Sequence, residues 1–132
     1  MLDDLLGDLT TEVLKKALDA STLRQQVIAN NVANAETPGF KRSEVLFESY
    51  LADAIEHDER VMESPQPGEE LAIPSLSPKI VTDLHTALRG DGNNVNVERE
   101  MADLARNATL YRTYAKILAS RYRGMNQLLE KG

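Results

Sequence analysis

From the N-terminus, Leu2, Leu6, Leu9, Val13, Ala20, Leu23 and Val27 recur at alternating four- and three-residue steps, with Lys16 the one polar interruption. Such spacing lines one seam of a helix that packs lengthwise on another. Leu14, Leu18, Ile28 and Val32 lie off that stripe by more than a quarter turn. The helix therefore has a second apolar side, and one partner would not cover it.

The other end of the chain keeps the 4-3 spacing without a break through Val97, Met101, Leu104, Ala108, Tyr111, Ala115, Leu118, Tyr122, Met125 and Leu129. Asn96 is placed to cap this helix by accepting from an early N–H, and Glu98 and Glu100 stand where the macrodipole favours negative charge; Asn94 is a rival cap. Leu110, Ile117 and Leu128, with Gly124 among them, form a second stripe on a different face. A helix from 97 to 130 would be about 50 Å long, more than a compact domain of this size needs.

The middle is less regular. Val45, Leu46, Leu51, Ala54 and Ile55 have spacings that predict a short amphipathic helix within 43–57. Four of the five prolines fall between 65 and 78, which rules out continuous helix there. Residues 79–88 fit a strand or a short helix, and RGDGNNVN, 89–96, is a turn cluster. The chain thus divides into an N-terminal helix (1–34), an elbow with an irregular middle (35–96) and a C-terminal helix (97–132).

Asn30, Asn31 and Asn34 fall where the first helix should end, and asparagine tolerates the left-handed conformation of a helix terminus. Thr37 precedes proline and is pushed toward extended geometry. Pro38 and Gly39 fit positions i+1 and i+2 of a type II turn, so the chain reverses there and aims Phe40, followed by Lys41 and Arg42. These residues by themselves fit first a well-specified helix exit with one anchoring aromatic; a docking elbow between subunits is the alternative.

Composition narrows the function classes. There is no Trp or Cys and there are only two Phe, so any core leans on aliphatic residues, and disulfides, thiolate metal sites and cysteine nucleophiles are excluded. No apolar run approaches the roughly 20 residues that cross a bilayer, and MLDDLLGDL is acidic where a signal peptide is basic. Residues 1–60 hold 12 acids and 6 bases, whereas residues 97–132 hold 4 acids and 7 bases. Oppositely charged ends fit side-by-side association of terminal helices, within a molecule or between copies, and equally two differently solvated faces; the net charge of -6 disfavours nucleic acid.

Reactive constellations are lacking. His57 and His85 have no companion at metal-ligand spacing. DGNNVNVE echoes a calcium loop, but Val95 occupies a ligand position and Asn96 the place of the required glycine. Ser21, Ser43 and Ser120 have no neighbouring base, and the acid pairs Asp3-Asp4 and Glu69-Glu70 are splayed. Tyr111, Tyr114 and Tyr122 suit a helix core or a subunit interface.

ASTLRQQVIANNVANAETPGFKR, 20–42, resembles the N-terminal signature of the rod and hook axial proteins of the bacterial flagellum. GDGNNVNVEREMADLARNATLYRTYAKILASRYRGMNQLL, 90–129, is similar to the C-terminal segment of the proximal rod members of that family. The resemblance implies a mainly α, elongated subunit whose terminal helices pair as an antiparallel coiled coil around an irregular middle. It implies no enzyme, cofactor or metal. Asn31, Asn34, Thr37, Pro38, Gly39 and Phe40 would form a subunit-interface elbow, with Asn93 and Asn94 turning into the last helix. Leu9, Val13, Leu23, Val27, Met101, Leu104, Tyr111, Leu118, Tyr122 and Met125 would line the axial seam.

Its implied partners are copies of itself, other flagellar rod proteins, the junction with the inner-membrane ring and its adaptor, and the flagellar type III export apparatus; nucleic acid and direct membrane insertion are not among them. The implied location is the periplasm-spanning rod of the basal body, reached without a cleaved signal peptide. Early-exported members can carry a Phe-x-x-x-hydrophobic export signal near the N-terminus; this chain has no Phe before Phe40, and Phe47 to Leu51 fits the spacing further on. A soluble helical-hairpin adaptor or chaperone, binding a partner helix without polymerising, would share the seams but gives no reason for the Thr-Pro-Gly-Phe elbow.

Overall fold

The computed structural model of the chain describes residues 2–131. Met1 and Gly132, and the side chains of Leu2, Asp3, Leu5 and Lys131, lie outside the described residues, so the Leu2 position of the first stripe is not placed. In order, the elements are α1 (Leu2–Ala33), β1 (Ser43–Leu46), α2 (Glu48–Glu63), a 3₁₀ turn (Ile73–Ser75), β2 (Lys79–Thr82) and α3 (Val97–Lys131). At ~1.5 Å per residue, α1 and α3 run for about 50 Å each, well beyond the ~30 Å width of a small domain. The protein is mainly helical and its length is set by these two helices.

α1 and α3 pack against each other, and three polar rungs fix their direction. Asn31 Nδ2 donates to Glu100 Oε2 at 3.1 Å, Asn107 Nδ2 to the Ser21 carbonyl at 2.8 Å, and Arg121 Nη2 to the Gly7 carbonyl at 3.1 Å. Residue numbers fall on α1 as they rise on α3, so the pair is antiparallel. Polar groups inside a helix seam penalise every register that would leave them unpaired, and in that way specify one.

The middle segment covers a different side of α1. Leu9 is buried with Ala54 of α2 and Ile73 of the 3₁₀ turn, packed about by Val13, Met62, Leu71, Ala72 and Leu76. A second cluster joins Ala17 and Ala20 to Phe47, with Leu51, Leu76 and Tyr114 against it. Burial raises the Tyr114 hydroxyl pKa, with Glu48 adding to the effect. Lys16, the polar break in the first stripe, donates to the carbonyls of Leu76 and Pro74 at 2.7 and 3.2 Å, satisfying backbone acceptors at and beside the 3₁₀ turn. Asp58 secures the start of the same turn, accepting from the N–H of Ala72 at 2.5 Å and of Ile73 at 3.0 Å.

Two local expectations are corrected. The helix expected within 43–57 is split: Ser43–Leu46 is a strand and α2 starts at Glu48. Val45 is buried and Glu44 exposed, a two-residue alternation, and the strand pairs antiparallel with β2 through Ser43↔Thr82, Glu44↔Val81, Val45↔Ile80 and Leu46↔Lys79. The left-handed asparagine at the end of α1 is likewise absent, since among the described residues every positive φ belongs to glycine. Instead the chain leaves the helix through successive tight turns, with Asn34 Nδ2 donating to the Asn30 carbonyl at 2.9 Å. The same carbonyl also accepts from the Asn34 N–H at 3.2 Å, so Asn34 closes the helix end through both its backbone and its side chain without a change of backbone hand.

Candidate functional site

The two segments singled out by sequence, 31–42 and 90–100, are far apart in the chain and meet in the fold. The Phe40 N–H donates to the Thr37 carbonyl at 3.2 Å, with Pro38 and Gly39 between them. Gly39 has φ +74°, the value a type II turn requires at its third residue. Gly92, φ +86°, lies against it: a Cβ added at Gly92 would stand 3.7 Å from the Gly39 Cα. Asn93 then reaches across, its Nδ2 donating to the carbonyls of Asn34 at 3.0 Å and Thr37 at 2.8 Å. Its Oδ1 accepts from the Val95 N–H at 2.7 Å, so one buried amide ties both turns.

Asn94 repeats the device one residue on. Its Oδ1 accepts from the Arg42 N–H at 2.6 Å and its Nδ2 donates to the Asp83 carbonyl at 2.9 Å, which fastens the loop after β2. Lys41 Nζ donates to the carbonyls of Thr86 and Gly92, both at 2.6 Å. Asn96, with Oδ1 accepting from the Arg99 N–H at 3.2 Å, is the cap of α3. Asn94, its rival by sequence, is occupied holding the elbow.

Beneath the turns lies an ion pair. Glu100 is 0% exposed, and its Oε1 accepts from Arg42 Nε at 2.6 Å. Asn31, also buried, donates to Glu100 and to the Ser43 carbonyl while accepting from the Ser43 N–H at 3.0 Å. Burial opposes the Arg42 charge, but Glu100 and, more weakly, Glu44 outweigh it and hold the guanidinium pKa above its ordinary value. α1, β1 and α3 are therefore bolted together by Asn31, Arg42 and Glu100. Nothing in this arrangement is poised for bond chemistry: its polar atoms face one another, and it holds shape.

The elbow residues divide between inside and outside. Asn31 is buried, Asn34 and Phe40 are half-buried, and Thr37, Pro38 and Gly39 are exposed. Of the stripe residues on α1, Leu9 is buried and Val13, Leu23 and Val27 are half-buried; Leu9 and Val13 face the middle segment. On α3, Leu104 and Leu118 are half-buried, but Met101 and Met125 are 50% exposed, Tyr111 44% and Tyr122 40%.

The face that α3 turns to α1 lies beside the expected stripe, through Glu100, Asn107, Tyr114 and Arg121 at strict seven-residue spacing. Three of these four are polar, so an apolar stripe could not reveal them. Arg42 and Glu100 were missed as a pair for a related reason: 58 residues separate them, and Glu100 in isolation reads as an ordinary first-turn acid. The signal that could have found that face is the recurrence of Glu, Asn, Tyr and Arg every seventh residue.

Comparison with known proteins bears on the same segments. Residues 12–41 match the family described as Flagella basal body rod protein. The chain is 33% identical over 131 residues to the flagellar basal body rod protein FlgB of Borrelia hermsii, spanning 93% of this chain and 97% of that one. It is 31% identical to the protein of the same name from Yersinia ruckeri, over the whole of both chains, and 31% identical to that of Escherichia coli K12, over 100% of this chain and 99% of that one. The chain belongs to the flagellar basal body rod proteins, and within them to the FlgB type. It is a structural component of the rod.

Proposed function

We propose that the chain is a non-catalytic subunit of the proximal rod, assembling with copies of itself and with other rod proteins into the hollow axial drive shaft. The observation that carries this is the contrast between the terminal helices. α1 is flanked by α3 on one side and by the middle segment on another, whereas α3 keeps a strip of exposed apolar side chains: Val97, Met101, Tyr111, Tyr122, Met125 and Leu129. Isolated surface apolars need no explanation, but a strip in helical register along some 50 Å is an interface in waiting. A contact of this kind that does not close on itself yields a helical array.

The elbow contributes in two ways. Its buried asparagines hold the outward turn Thr37–Gly39 at a fixed place, and Phe40 at the turn's end is left half-covered for a neighbour. Assembly at the inner-membrane ring and passage through the type III export apparatus complete this reading. Phe47 is buried against Ala17 and Ala20, so an export determinant at Phe47 to Leu51 would be legible only on an unfolded chain.

Tyr111→Glu tests the proposal. The side chain is exposed, so the isolated variant keeps its circular dichroism and urea midpoint, while basal bodies from cells carrying it lack a completed rod and the cells do not swim. Normal motility with the variant incorporated would reject the strip as an interface. Finite complexes with a partner, in place of filaments, would favour the adaptor reading.

A further inference from the structure

β1 and β2 form a two-stranded sheet whose two outer edges differ. The Asp83 N–H donates to the Arg42 carbonyl at 3.0 Å, so Arg42 and Asp83 continue the ladder as a hydrogen-bonded pair in the register Ser43↔Thr82. Bonded and non-bonded pairs alternate along an antiparallel ladder. Glu44 and Val81 therefore turn their backbone groups inward, whereas Ser43, Val45, Ile80 and Thr82 turn theirs to the outer edges. On β1, three of the four outward groups are taken: Asn31 bonds both the N–H and the carbonyl of Ser43, and Arg24 Nη2 donates to the Val45 carbonyl at 3.2 Å. On β2, no loop or side chain among the described residues bonds to the N–H or carbonyl of Ile80 or Thr82. All four residues of β2 are exposed, Ile80 at 54% and Val81 at 41%.

An open edge is a template for another strand, and β2 is complementary to itself. Antiparallel pairing that uses both outward residues sets Ile80 opposite Thr82 of a second copy, and Thr82 opposite its Ile80. Val81 then meets its own counterpart on the two-fold axis. In this register Lys79 stands opposite Asp83 of the second copy, and Asp83 opposite its Lys79. Neither has an ion pair among the described residues. The Lys79 ammonium lies over the Tyr50 ring, 5.2 Å from its centroid, and the Asp83 carboxylate accepts only from the N–H groups of His85 and Thr86 and the Thr86 hydroxyl. Opposite charges directly across a strand pair stabilise it. Centring the pairing on Ile80 or Thr82 instead loses both charge pairs.

We propose that the free chain pairs with a second copy of itself through β2, edge to edge, making one four-stranded sheet in the order β1-β2-β2-β1. Two strands alone make a marginal sheet, and four satisfy both open edges at once. β1 of a second copy cannot take this place, because Asn31 and Arg24 already occupy its outer edge. A two-fold contact closes on itself, so its product is a dimer and not a filament. Neighbours standing in the same orientation along a rod have no such axis between them. The pairing therefore belongs to the free subunit, opens on assembly, and does not depend on the rod reading.

Strands this short bury little area, at the weak end of specific contacts, so the dissociation constant is expected at roughly 0.1 mM. In the purified chain, amide exchange at Ile80 and Thr82 should slow about fourfold between concentrations tenfold below and tenfold above that value, by mass action. Val81, whose N–H faces β1, should not change. The absence of cysteine allows a second test. Val81→Cys brings two thiols to a non-bonded pair with Cα atoms about 4.5 Å apart, within the span of a disulfide. Under mild oxidation its dimer is expected at about ten times the yield of Leu88→Cys, an equally exposed position beyond the strand. Adding Lys79→Glu sets like charges across the axis and should return the yield to that control. Exchange that ignores concentration, with Val81→Cys no better than Leu88→Cys, overturns the pairing and leaves the rod assignment standing. Protection of Ile80 and Thr82 only when a different rod protein is added overturns it too, and gives the edge to that protein's strand.

Discussion

Arg42→Leu removes the cation from a carboxylate that has no access to water. Glu100 is wholly buried and the Arg42 side chain is 9% exposed, so solvent cannot replace the lost partner. Breaking one side of such a pair costs about 3–5 kcal/mol, and the remaining 3.1 Å bond from Asn31 cannot neutralise the charge. Set against a total stability of roughly 5–15 kcal/mol for a domain, that is a large fraction. Urea unfolding followed by circular dichroism should show the midpoint falling accordingly, with faster hydrogen exchange at the Ser43 amide, whose acceptor, Asn31, belongs to the same joint. Replacing Glu100 by Leu as well removes the stranded charge, so the double variant should recover about 2 kcal/mol relative to Arg42→Leu alone. A loss under about 0.5 kcal/mol in the single variant, or strict additivity of the two changes, would refute the buried-pair account.

Asp58 links stability to pH. Burial opposes its charge, but the Ala72 N–H, His57 and the Ile73 N–H outweigh it and depress its pKa below the ordinary value. A depressed carboxylate contributes stability that is complete above its unfolded pKa, near 4, and is lost as pH falls below that; Asp58→Ala should cost about 1–3 kcal/mol at neutral pH and flatten the acid limb of a pH–stability curve. Gly39→Ala, forced to φ +74°, should cost about 1–2 kcal/mol in a thermal melt, whereas Gly90→Ala, with open space around its Cβ and no positive φ, should be neutral. Phe47→Ala should cost about 3–5 kcal/mol by urea unfolding, since the ring is buried at the meeting of α1, α2 and α3.

Long, uninterrupted patterns made the two terminal helices legible, and specific turn chemistry did the same for Pro38-Gly39 and the Asn96 cap, because both are local. What was not legible depends on contacts between distant segments. The residues through which α3 bonds to α1, Glu100, Asn107 and Arg121, lie beside its apolar stripe and substitute hydrogen bonds for apolar packing. β1 was hidden because four residues are too few to establish a two-residue period, and the strand exists through its pairing with β2 and the bonds that Asn31 gives it. Lys16 looked like a flaw in the first stripe until the Leu76 and Pro74 carbonyls supplied its purpose.

The central claim is that the outward strip of α3 is covered by neighbouring subunits. Met101→Cys and Tyr111→Cys introduce the chain's only thiols on that strip, and their maleimide labelling can be compared between free subunit and intact basal body. Rapid labelling in the free chain and strong protection in the assembled rod is the expected result. Equal rates in both states would contradict the claim.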